Sequence, residues 1–96
     1  MMEASAGQAV MLNAVDSAFG RLGENAKRII YWHLENSYQI QREDIVKKPE
    51  AFIEALENLF GAGSRILVHD ILVELSRLLS EDIPMDLAFA IRRISP

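Results

Sequence analysis

The chain has 96 residues, half of them hydrophobic and a quarter charged, with a formal charge of -4 and no cysteine. This length fits one small domain, and the absent cysteines exclude a disulfide scaffold, a thiolate zinc site, an iron-sulfur cluster and a cysteine nucleophile. The acidic balance opposes nucleic acid unless the ten basic residues gather on one face.

The first eight residues are small and polar and read as a flexible leader. They lack the basic segment and apolar stretch of a secretory signal, which predicts a cytoplasmic protein. From Ala9 to Leu22, the residues Val10, Met11, Ala14, Val15, Ala18, Phe19 and Leu22 recur at three- and four-residue steps and predict a first helix, stopped at Gly23. A second helix is predicted from Glu24 to Ser37, with Ala26, Ile29, Ile30, His33, Leu34 and Ser37 or Tyr38 as its buried stripe.

Between Tyr38 and Lys48 the period is lost, yet Ile40 and Ile45 are expected to tuck onto the core from an ordered loop with at most one short turn. Pro49 suits a first helical turn, and Phe52, Ile53, Leu56, Leu59 and Phe60 give this third helix an apolar face that Gly61 ends in left-handed backbone. Gly63 and Ser64 open a fourth helix running to Ser80. Its apolar residues, from Ile66 to Leu79, cover well over half of its girth, so it is expected to be central or shared with another chain.

Ile83-Pro84 breaks the backbone, and a short last helix is predicted from Met85 to Ile94. No segment alternates in the manner of a strand, and no apolar run approaches the roughly 20 residues of a bilayer crossing. The expected class is all-α: a compact bundle of four main helices over residues 9–80, with a short C-terminal helix in the appendage 81–96.

The candidate chemistry is sparse. Gly61-Ala62-Gly63-Ser64 lacks both the third glycine of a dinucleotide loop and the lysine of a nucleotide loop, and reads as a helix-helix corner. His33 lies in the predicted stripe of the second helix, where a packed imidazole bonded to a carbonyl or carboxylate is expected. His69 followed by Asp70 on a long helix is similar to the phosphoacceptor region of histidine kinases, but Val73 stands where those proteins carry a polar residue. The dyads Lys27-Arg28, Lys47-Lys48 and Arg92-Arg93 are scattered, each with acids close by. No catalytic set, cofactor site or metal-ligand set emerges from these spacings.

Four segments carry a family resemblance: Leu22-Gly23-Glu24-Asn25, the run Ile30 to Glu35, Pro49-Glu50-Ala51-Phe52, and the junction Leu59 to Ser64 with its Phe-Gly-x-Gly element. Together, over roughly residues 14 to 80, the chain resembles the Nitrosopumilus output domain family and related small helical archaeal proteins of unknown function. The resemblance implies an archaeal source and a helical output module of signal transduction, with no catalytic residues to transfer.

These readings converge on a non-enzymatic interaction module acting as a homodimer and serving an unidentified signalling protein, without membrane or nucleic acid. The expected interface is Leu67, Ile71, Leu75, Leu78, Leu87, Ile91 and Ile94, because a chain this short buries only about 60 to 68% of its unfolded surface. The alternatives are a nucleic-acid-associated regulator and histidine phosphotransfer through His69.

Overall fold

The structure is a computed structural model that describes the backbone of residues 2–80 and 86–94, with side chains described for 7–80 and 86–91. It contains α1 (Met2–Gly20), α2 (Glu24–Tyr38), α3 (Pro49–Phe60), α4 (Ser64–Leu79) and α5 (Leu87–Ile94), with no strand among the described residues. α1 begins well before the first apolar repeat, so residues 2–8 extend the helix and are not a separate leader. The predicted break at Ile83-Pro84, and Met85 as a helix start, lie outside the described residues.

Local chemistry accounts for most of the boundaries. α2 closes without glycine: Gln39 takes left-handed backbone (φ 54°), and the Ile40 N–H donates to the Leu34 carbonyl at 2.8 Å. The next segment makes one 3-10 turn, Arg42–Asp44, in which the Gln41 N–H donates to Asp44 Oδ2 at 3.1 Å. This turn delivers Ile40 and Ile45 to the core, as expected.

α3 starts on Pro49, whose missing N–H would have no helical partner at that position. At Gly61 the backbone takes φ 58°, and a 3-10 turn over Gly61–Gly63 joins α3 to α4 in one helical run of 31 residues. Asp86 caps α5, its Oδ1 accepting the Phe89 N–H at 3.1 Å.

The core is built on α1 and α4. Met11, Ala14, Val15, Ala18 and Phe19 of α1 are fully buried and pack with Leu67, Ile71, Leu72 and Leu75 of α4. Phe52 and Leu56 of α3 close a second side, Phe52 lying 6.4 Å from the Phe19 ring. α5 contributes Leu87, Ala90 and Ile91 and packs on α1, α3 and α4, so it completes the core where an appendage was expected. Burial of these side chains is the main stabilising term, each worth roughly 1.5–3 kcal/mol.

Two polar clusters tie the layers together. Glu74 is buried on α4 and accepts hydrogen bonds from Arg21, just after α1, and from Arg77 at 2.6 Å; Asp70 lies 3.8 Å from the same Arg21. On the other side of α1, Asp16 accepts the Tyr31 hydroxyl at 2.5 Å and Arg42 at 2.6 Å, which joins α1, α2 and the loop.

Candidate protein-interaction site

α2 is the helix whose sequence and packing diverge. Its buried residues are Ile30 and Leu34, with Tyr31 packed edge-on against Phe19 at 5.4 Å. With Tyr31 on Phe19 and bonded to Asp16, the buried side of the helix runs from Ile30 and Leu34 toward Tyr31 and away from Ile29. Ile29 is therefore 57% exposed and Trp32 58% exposed, and the predicted buried stripe is corrected to Ile30, Leu34 and the Tyr31 side.

Of the eight large exposed apolar side chains among the described residues, four gather beside α2, while Ile66, Val73, Leu78 and Phe89 lie on α4 and α5. Leu22, Ile29, Trp32 and Phe60 are large exposed apolar side chains on adjoining surfaces. Two hollows share Ile29. One, of about 430 Å³, is lined by Asn25, Arg28, Ile29 and Trp32; the other, of about 300 Å³, lies between α2 and the end of α3 and includes Leu22, Ala26, His33 and Phe60. The apolar face is continuous over two elements and rimmed by polar groups.

His33 belongs to this face. Its ring stands edge-on to Trp32 at 5.1 Å, and no hydrogen-bond partner for it exists among the described residues, which corrects the expected bonded core imidazole. Helical geometry explains the difference, since residues 26, 29 and 33 share one face and that face follows Ile29 outward.

His69 and Asp70 are placed apart from this face and do not act on one another. His69 is exposed and lines a separate cleft of about 360 Å³ with Ser64, Arg65, Glu57 and Asp86. The Asp70 carboxylate is turned to Arg21, so the pairing expected of an activated imidazole is absent among the described residues.

The expected interface is also corrected. Leu67, Ile71, Leu75, Leu87 and Ile91 lie inside the core of a single chain, covered by α1 and by α5 folding back, and offer no surface to a second copy. Leu78 is partly exposed at the end of α4, and the Ile94 side chain lies outside the described residues.

Among the described residues, Asp16, Asp70 and Glu74 are engaged by arginines. Burial alone would raise the Asp16 carboxyl, but hydrogen bonds from Arg42 and Tyr31 outweigh it and hold the group below the ordinary carboxylate range. Burial, followed by the neighbouring Asp16 charge, pushes the Tyr31 phenol well above its ordinary range. Arg21, Arg42 and Arg77 are held by acids. No three His, Asp or Glu side chains converge among the described residues, and no described helix is long and apolar enough to cross a membrane. No family model, curated protein or solved structure matches this chain.

Proposed function

We propose that this chain is a non-catalytic, helical protein-interaction module whose partner docks on the outer face of α2 and the end of α3. One observation carries the reading: Leu22, Ile29, Trp32 and Phe60 form an exposed apolar face around two hollows, while the core closes without them. The i, i+3, i+4, i+7 spacing along α2 suits a helical partner offering apolar side chains. A non-catalytic role is supported by the separation of the two histidines into different hollows and by the commitment of Asp16, Asp70 and Glu74 to arginines. An output role in archaeal signalling rests on the resemblance over residues 14 to 80.

The test is site-specific photo-crosslinking. A photoreactive residue at position 29 or 32 is expected to give one defined covalent adduct in the expressing cell, and the same residue at exposed Glu54 on α3 none. Equal or absent adducts at all three positions would overturn the reading.

A further inference from the structure

Resting on the α2 face as an interaction surface, we propose that its occupant is a second copy of this chain, docked so that the two α2 helices run antiparallel and each Trp32 enters the hollow of the other. The lining of that hollow, Asn25, Arg28, Ile29 and Trp32, is an i, i+3, i+4, i+7 diamond. Four residues so spaced form the hole that takes one side chain from a facing helix. The occupant is therefore a helix presenting a knob of suitable size.

The same face supplies the knob. Trp32 is the largest exposed apolar side chain on α2 and stands at the rim of the hollow. A two-fold contact requires one patch to carry both complementary shapes, and this patch does.

Charge selects the orientation. Two copies each carrying -4 repel, yet the stripe Leu22, Asn25, Ile29, Trp32, His33 and Asn36 contains no carboxylate. Arg28 and Glu35, seven residues apart, lie along one edge of this stripe. In an antiparallel two-fold pair like edges meet, and an axis between residues 30 and 31 sets Trp32 of each copy level with residue 29 of the other, over its hollow, and brings Glu35 of each copy within two residues, about 3 Å along the axis, of Arg28 of the other. Among the described residues Arg28 bonds to the Asn25 side chain, at 2.5 Å, and neither Arg28 nor Glu35 has an ion pair. A parallel pair would turn that edge toward the opposite edge and leave these charges apart. Arg28 also lies where it can cover the face of the incoming indole.

Sedimentation equilibrium of the full chain, in a series reaching about 1 mM, is expected to show a reversible monomer-dimer equilibrium. Arg28→Glu alone and Glu35→Arg alone each weaken it by at least about tenfold, since each sets like charges opposite one another in both pairs. An equimolar mixture of the two variants, which restores opposite charges in both pairs, associates as well as the unchanged chain within about threefold, as does the double variant. Both positions are exposed, so circular dichroism is expected to show unchanged helix content.

A wild-type chain that stays monomeric, or a dimer indifferent to Arg28→Glu and to Trp32→Glu, overturns the proposal. The crosslink at position 32 separates the two levels. An adduct of twice the chain mass supports a second copy; an adduct of another mass overturns self-association and leaves the α2 interaction face standing. No adduct overturns both.

Discussion

α2 and α4 are two helices of nearly equal length with opposite relations between sequence and burial. α4 is apolar around most of its girth and buries Leu67, Ile71, Leu72 and Leu75 against α1, α3 and α5, leaving Ile66, Val73 and Leu78 exposed at its outer side. α2 looks like an ordinary amphipathic helix, yet it buries only Ile30 and Leu34 and turns Ile29 and Trp32 outward. The amount of apolar surface on a helix therefore does not say how much of it stays exposed. What matters is whether the rest of the same chain reaches that surface, and α5 reaches α4 while nothing described reaches the outer face of α2.

The largest difference between the two helices should appear in stability. Replacing Ile71 or Leu75 of α4 by alanine removes a fully buried side chain and is expected to cost about 2–5 kcal/mol in urea unfolding monitored by circular dichroism. A loss below about 1 kcal/mol would mean that α4 is not enclosed as described.

Next comes the buried carboxylate on α4. Glu74→Ala strips Arg21 and Arg77 of their shared acceptor, but both guanidinium groups remain largely open to water, so no cation is stranded in the core. The expected loss is about 1–3 kcal/mol, below that of the core truncations. Glu74→Gln, which keeps the volume and one acceptor, should recover part of it.

How much of this was legible in the sequence depends on which contacts set each element. Helix boundaries that rest on local chemistry, such as Pro49, Gly61 and the acidic start of α2 at Glu24, are readable because the determining residue sits at the boundary itself. The caps at Gln39 and Ser80 are not, since both take left-handed backbone that glycine would ordinarily signal. The rotation of α2 was hidden for a different reason. Ala26, Ile29, Ile30, His33 and Leu34 form as good a stripe as the true one, and the choice is made by Tyr31, whose ring meets Phe19 and whose hydroxyl meets Asp16 on another helix. An amphipathic tyrosine flanked by a tryptophan was the available signal, because buried tyrosine needs a partner for its hydroxyl. Likewise the closure of α4 depended on α5 folding back, a tertiary contact that helical periodicity does not encode.

The latch that fixes the rotation of α2 should show in the pH dependence of stability. The Asp16 carboxyl is held below its ordinary value of 3.8 in the folded chain, so its contribution is complete above that value and is lost as pH falls through the lowered one. The Tyr31 phenol is raised above its ordinary value of 10.0, so its contribution is complete below that value and is lost as pH rises toward the raised one. Asp16→Asn should flatten the acid limb and Tyr31→Phe the alkaline limb of a stability-pH profile. Each variant should cost only about 1 kcal/mol at neutral pH, because Arg42 is substantially exposed and the pair is screened.

The smallest effect on stability is expected on the outer face of α2, where it carries the most information. Ile29→Ser is expected to change the unfolding free energy of the dilute chain by no more than about 0.5 kcal/mol, since Ile29 gives up little surface on folding. Trp32, the single tryptophan, reports on the same face by fluorescence. In dilute wild-type chain its emission should lie at the long wavelengths of a hydrated indole and move to shorter wavelengths as the concentration rises and the hollow of a second copy covers it. In Ile29→Ser, with the floor of that hollow removed, the emission should stay at long wavelength throughout. A blue emission already present at high dilution would place Trp32 inside the folded monomer and liken α2 to the inner side of α4, where Leu67, Ile71, Leu72 and Leu75 are hidden by their own chain.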